Sequence, residues 1–301
     1  MKKKILITSS IIILIGIIVF TILFLRNQNT EWKITQYGDN KGPQMMCYTI
    51  EGNKNGLIII DGGYKDNDEQ YEFIKNKIAE NNNVVDAWII THFDSDHGGV
   101  ALRIIKEMEN IEIKKIFIQD INETMETLKE NAPLEDDWSV YEGFLELDLP
   151  QKIKVHSGDN FKNIIGLDLK VLSSYEKWID EKTDTLFNNG SIVFKLYGKE
   201  ESILFTGDIE DKSIGEFLIE NYKEELKSDY LQVPHHGNNL MGEEFYKLVN
   251  PKVSFFSAPD WLMNNYGNIS WFTVKENRKT LEDLGSEILW HNTSPNEKIL
   301  K

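Results

Sequence analysis

The chain has 301 residues, one cysteine, and 33 basic against 49 acidic residues, a formal net charge of −16. A single cysteine excludes an internal disulfide framework, and the acidic excess argues against a broad polyanion-binding surface. With 41% hydrophobic and 27% charged residues, the composition excludes a disordered chain and supports a substantial core. In chain order, Met1-Lys2-Lys3-Lys4 precedes an uncharged, mostly aliphatic run from Ile5 to Leu25. About 20 apolar residues span a bilayer as a helix, and Phe20–Arg26 offers no small-residue cleavage site. Three lysines before the run against Arg26 after it place the N-terminus in the cytoplasm. Residues 1–28 are therefore expected to be a signal anchor, single-pass in the cell membrane, with residues 29–301 outside it as one domain. Setting aside Lys2, Lys3, Lys4 and Arg26 leaves 29 basic against 49 acidic residues, so that domain carries −20.

Strands are expected at Trp32–Thr35, Met45–Ile50 and Leu57–Ile60, separated by Gly- and Asn-containing turns. Cys47 lies within the second and reads as a buried structural thiol. A helix follows at Tyr71–Ala79, then one strand over Val84–Ile90, a helix to about residue 108 and a strand at Ile113–Ile118. Residues 122–150 are acidic and irregular, with Trp138, Tyr141, Phe144 and Leu145 scattered among carboxylates. They read as an inserted helical lid or rim. Further strands are expected at 166–172, 191–196, 202–205, 230–233, 253–257 and 287–290. Helices are expected at 214–222, 243–249 and 273–284. No linker, repeat or low-complexity tract divides the domain, and the alternation predicts an α/β fold with sheets covered by helices.

Between the strand ending at Ile90 and the following helix stands Thr91-His92-Phe93-Asp94-Ser95-Asp96-His97-Gly98-Gly99. Two imidazoles and two carboxylates in six residues, with no thiolate, suit zinc, manganese or iron. The glycine pair reads as the turn that opens the helix. Asp208 follows Thr206-Gly207 at a strand end, and His235-His236 follow another strand in Pro-His-His-Gly. Adjacent histidines there are seldom core residues. One is expected to bind metal and the other to donate a proton or hydrogen bond to substrate. We favour His235 as ligand and His236 as catalytic acid or phosphate contact. His156 reads as a surface turn and His291 as structural.

The motif His-x-Asp-x-Asp-His-x-Gly-Gly resembles the signature loop of the metallo-β-lactamase superfamily, with Asp94 where a second His commonly stands. This variant is similar to the ComEC-type, competence-related hydrolase domain and its stand-alone relatives. Asp61-Gly62-Gly63, Asn189-Gly190-Ser191, Thr206-Gly207-Asp208 and Pro234-His235-His236-Gly237 match in order, over residues 31–291. The resemblance implies an αβ/βα four-layer sandwich with motif loops converging at one sheet edge. It implies one or two divalent ions, zinc or manganese, held by His92, Asp94, Asp96, His97, Asp208 and His235. Asp208 would bridge two ions, Asp96 would also orient the attacking water, and Asp61 would orient the metal loop. Asn189, Ser191 and Asn268 are candidate substrate contacts, Asn268 standing where relatives carry a His in Tyr-Gly-His-Pro.

A divalent metal lowers the pKa of its water to about 7, and two ions about 3.5–4 Å apart can clamp a phosphate. The expected function is thus membrane-tethered, extracytoplasmic hydrolysis of a phosphoester, most naturally a phosphodiester, through metal-bound hydroxide. The substrate is expected to be a small phosphoester, a short single-stranded nucleic acid or a cell-wall polymer, with no obligate protein partner. Competing readings are an accessory or binding protein on the same fold, and a hydrolase of another ester or lactam class.

Overall fold

A computed structural model describes residues 31–301 apart from 53–55, 108, 133–136, 182 and 184. The anchor expected over residues 1–28 lies outside the described residues, among which no helix is long and apolar enough to cross a membrane. In chain order, β1 (Trp32–Gln36), β2 (Cys47–Gly52) and β3 (Leu57–Asp61) precede α1 (Asp68–Glu80), β4 (Val84–Val85), β5 (Ala87–Ile89) and α2 (Ser95–Glu107). Then come β6 (Glu112–Ile113), β7 (Ile116–Gln119), α3 (Met125–Asn131), α4 (Ser139–Glu146) and β8 (Lys152–Val155). The second half opens with β9 (Asn160–Ile164), β10 (Leu167–Ser173), α5 (Lys177–Asp180), α6 (Leu186–Asn189), β11 (Val193–Tyr197) and β12 (Ser202–Phe205). It continues with α7 (Lys212–Leu226), β13 (Tyr230–Gln232), α8 (Gly242–Val249), β14 (Val253–Phe256) and α9 (Asp260–Met263). The final elements are α10 (Val274–Asp283), β15 (Glu287–Trp290) and β16 (Asn296–Leu300).

The strands form two seven-stranded sheets, ordered β16-β1-β2-β3-β5-β7-β8 and β15-β14-β13-β12-β11-β10-β9, and a small β4-β6 pair. Each large sheet has one antiparallel half and one parallel half. Parallel neighbours need crossovers, and the helices supply them, covering the outer faces. Side chains alternate along each strand. Leu57 and Ile59 face a core shared with Ile74, Val100 and Ile104 of α1 and α2, while Ile58 and Ile60 face the other sheet. There they join Phe194, Ile203, Phe205 and Phe255, with Tyr48 edge-on to Phe205 at 5.3 Å between ring centroids. A third core lies between the second sheet and α7, α8 and α10, through Leu218, Phe245 and Leu281. Helix, sheet, sheet, helix is the expected four-layer order.

Several local expectations are corrected. The strand expected over Val84–Ile90 is broken at Asp86, whose Oδ2 accepts from the Leu57 N–H at 3.0 Å and whose Oδ1 meets Lys114 at 2.7 Å. Gly98 and Gly99 are helical rather than a turn, since α2 already begins at Ser95. A Cβ on Gly99 would stand 2.5 Å from the Lys65 backbone nitrogen, and one on Gly98 would stand 2.7 Å from Val140 Cγ1. Glycine is there for close approach, not for a bend. The 122–150 insert is the helix pair α3 and α4, and its buried Tyr141 and Phe144 cage Phe93 of the metal loop at 5.0 and 5.7 Å. Strands β8, β9 and β16 complete sheet edges that the hydrophobic pattern does not announce.

Candidate metal centre

The loops after β3, β5, β12 and β13 meet above the sheet edge, stitched by backbone hydrogen bonds. Ile192 N–H donates to Thr91 across the halves at 2.8 Å, while within the second half His235 N–H donates to Gly207 at 3.2 Å. Asp61, at φ +54°, turns its buried carboxylate under the metal loop. It accepts from the Thr91 N–H at 2.7 Å, the Thr91 hydroxyl at 2.6 Å and His97 Nδ1 at 2.7 Å. That last bond puts the proton on Nδ1 and leaves His97 Nε2 as a lone-pair donor. Nε2 lies 3.2 Å from Asp208 Oδ2.

His235, His236 and Gly237 all have left-handed backbone, at φ +45°, +53° and +95°. For non-glycine residues this is a strained conformation, and here it sends neighbouring rings to different partners. His236 Nδ1 donates to the Ser257 carbonyl at 2.7 Å, and its Nε2 lies 2.9 Å from Asp208 Oδ2 and 3.2 Å from Asp96 Oδ2. His235 turns to Glu210, with Nδ1 3.0 Å from Oε2, and Glu210 is itself held by Thr185 at 2.6 Å and Asn188 at 3.3 Å. The structure thus brings His236 to the carboxylate cluster, where His235 was expected, and turns His235 to Glu210.

Two groups of side chains each bring ligand atoms within 4.8 Å of one another: His92, His97 and Asp208, and Asp96, His97 and His236. Asp94 lies at the rim, 3.5 Å from His92 Nε2 and partly exposed. The fit to a divalent cation is chemical: Nε2 of His92, His97 and His236 and Oδ1 of Asp208 are buried and make no hydrogen bond. Buried polar atoms seldom go unsatisfied, and four converging nitrogen and oxygen donors suit zinc or manganese.

Charge at the cluster is tightly coupled. Burial opposes protonation of His97, but the Asp208, Asp61 and Asp96 carboxylates hold its pKa well above the ordinary imidazole value. For His236, burial is likewise outweighed by Asp208 and Asp96, which raise it to about 10. Burial acts to raise Asp208, yet His236 and His97 hold it well below the usual carboxylate range. His235 is raised against its burial by the hydrogen bond to Glu210. Cation binding therefore displaces protons.

The other expected contacts serve the loops. Asn189 is buried, and its Oδ1 accepts from the Glu210 and Asp211 N–H groups at 3.0 and 2.9 Å. Ser191 Oγ accepts from the Asp208 N–H at 3.0 Å and lies 3.3 Å from His92 Nδ1. Asn189 thus holds the loop after Asp208, and Ser191 positions Asp208 and His92. Asn268 sits on an exposed turn at φ +49°, apart from the residues gathered here. His156 is exposed beside Asp120, and Cys47 is buried, as expected. His291 is buried against Gly38. Residues not foreseen include Gln232, whose Oε1 accepts from Thr206 and Gly207 N–H groups, both at 2.8 Å. A glutamine between Leu231 and Val233 in a buried strand was the available signal. Tyr64 is another: burial first, then Asp96, Asp94 and Asp208, push its phenol up and keep it a donor.

The family model for the metallo-beta-lactamase superfamily matches residues 42–114. ComE operon protein 3 of Bacillus subtilis (strain 168) is 30% identical over 177 residues, covering 58% of this chain and 20% of that protein. The uncharacterized protein YcaI of Escherichia coli (strain K12) is 39% identical over 72 residues, covering 24% of this chain and 9% of that one. The chain thus spans a fifth or less of the length of these curated relatives. The metallo-beta-lactamase fold protein YhfI from Bacillus subtilis superposes with a TM-score of 0.54 at 14% identity, covering 90% of this chain and all of that one. The chain thus has the metallo-β-lactamase fold, and its residues 42–114 are similar to the superfamily's family model.

Proposed function

We propose that this protein is a membrane-tethered, extracytoplasmic metallohydrolase of small phosphodiesters. The observation that carries this reading is the Asp208 carboxylate, set between His97 and His236 through one oxygen with its other oxygen buried and unbonded. In this reading His92, Asp94 and Asp208 hold one ion, and Asp96, His97, His236 and Asp208 hold another. Such ions supply Lewis acidity and a nucleophile at neutral pH. The chain's own groups do the rest. Asp61 and the Ser257 carbonyl fix the rings of His97 and His236 through Nδ1. Asp96 aligns the attacking water and takes its proton. His235, steadied by Glu210, presents its other nitrogen and protonates the departing oxygen.

Charge narrows the substrate. Duplex binders neutralise many phosphates with Lys and Arg, which a domain of net −20 is poorly equipped to do. A single phosphodiester needs only the metal pair. Short single strands and wall-polymer linkages also satisfy that limit. With manganese or zinc added, the full chain should hydrolyse bis(4-nitrophenyl) phosphate, with little change from low to moderate salt, and Asp96→Ala should abolish turnover. Loaded protein that ignores phosphodiesters but opens a lactam or thioester would overturn the assignment, as would tight, steeply salt-dependent binding of duplex DNA.

A further inference from the structure

Next to the metal centre lies a second feature that the proposed chemistry does not use. A cavity of about 400 Å³ opens between the loop after Asp208 and the loop after His236. Its walls include Thr185, Glu210, Asp211, Asn238, Leu240 and Trp271. Glu210 is also the partner of His235, so the cavity and the metal centre share a wall. Its size suits one or two rings rather than a polymer.

The lining is unusual for a chain expected to meet phosphates. Among the described residues, it carries two carboxylates and no Lys or Arg. A second phosphate here would meet repulsion. What the lining favours is an uncharged group that donates hydrogen bonds. Asp211 gives Oδ1 to the Ser213 N–H at 2.8 Å and hydroxyl at 2.6 Å, which leaves its second oxygen to accept. Asn238 turns its oxygen to the Thr273 N–H at 2.9 Å, leaving its amide NH2 free among the described residues. At the mouth stands Trp271, 73% exposed, with Leu240, 59% exposed, beside the same cavity. A large indole held that far into water is costly unless something flat covers it, and an indole face stacks well on a ring.

We propose that this cavity is the subsite for an uncharged, hydrogen-bond-donating ring carried by the substrate, stacked on Trp271 and held by Asp211 and Asn238. The proposal rests on the phosphodiester reading and names the substituent that such a substrate bears. A nucleobase and a pyranose both offer this chemistry. It also assigns the cavity to specificity rather than to the bond-breaking step, since Glu210, the partner of His235, is where its walls meet the proposed machinery.

Two measurements test it separately from the parent reading. First, the full chain is labelled with 5-fluorotryptophan, and the Trp271 line among seven tryptophans is assigned by its loss in Trp271→Phe. Adenosine and methyl β-glucopyranoside are then titrated to millimolar concentrations. A saturable shift of the Trp271 line with either ring is expected, and the one that shifts it identifies the source. No shift with either overturns the subsite, whether or not the protein hydrolyses anything. Second, kcat/KM is compared for nucleoside, pyranosyl and methyl 4-nitrophenyl phosphodiesters. One ring-bearing ester should exceed the methyl ester roughly tenfold, and that ratio should fall to about one in Trp271→Ala. A ratio near one in the wild type, or one unmoved by Trp271→Ala, also overturns it. Inertness toward all three esters would sink the phosphodiester reading and leave the fluorine shift to decide the subsite.

Discussion

At the residue scale, His235 and His236 are told apart by what each Nδ1 meets. His236 gives Nδ1 to a backbone carbonyl and keeps Nε2 for Asp96 and Asp208, whereas His235 directs Nδ1 to Glu210. His236→Ala should therefore strip bound metal. His235→Ala should keep its metal and lose about a hundredfold or more in turnover. Elemental analysis beside kinetics separates them, and metal loss in His235→Ala would reverse the assignment. Nothing in two adjacent histidines reveals this difference, because it is set by consecutive left-handed φ values. The clustered side chains themselves were legible, since His92, Asp96 and His97 stand within six positions of one loop. His291 makes a different prediction. Burial, and then the charge on His236, depress its pKa to about 3, below the ordinary 6.5. The unfolded chain thus takes up this proton as pH falls through 6.5, and the folded chain takes it up only near 3. His291 should cost the fold up to about 1.4 kcal/mol per pH unit across that window. Unfolding free energies of wild type and His291→Gln should diverge as pH falls from 6.5; parallel curves would contradict the buried neutral state.

At the scale of elements, the metal loop owes its shape to α2 beginning early and to what packs on it. Gly99 decides the first point. In an exposed helix, glycine to alanine stabilises by about 0.5–1 kcal/mol. Here the added Cβ would meet the Lys65 nitrogen at 2.5 Å and the Gly63 oxygen at 2.9 Å, both backbone atoms that cannot swing away. Overpacking should win, so Gly99→Ala should destabilise by about 1–3 kcal/mol in denaturant titration. A stabilised variant would show that the loop gives way freely. The sequence pattern made this glycine pair look like a turn, because close approach by a distant loop leaves no local signature. The same reason hid the aromatic cage on Phe93, whose partners come from an acidic insert some 50 residues on. Edge strands escaped for another reason. β9 and β16 are largely polar and half exposed, so they lack the apolar runs that marked β3, β12 and β14.

At the scale of the whole molecule, four layers were legible from alternating strands and helices, while the sheet order came from pairing between distant segments such as β1 and β16. Charge acts at this scale too. The lysines at residues 2–4 and the apolar run to Leu25 predict a domain that external protease digests in spheroplasts while a cytoplasmic control survives. A protected domain would invert that topology. The proposed chemistry turns on one point where both halves of the fold meet, the Asp208 carboxylate facing His97 from the first half and His236 from the second. Metal stoichiometry of the purified full chain tests that point most directly. Wild type should bind two divalent ions per chain, and Asp208→Ala should lose both together with phosphodiester turnover. A wild type that binds no divalent ion, or an Asp208→Ala chain that keeps two, would contradict the shared carboxylate.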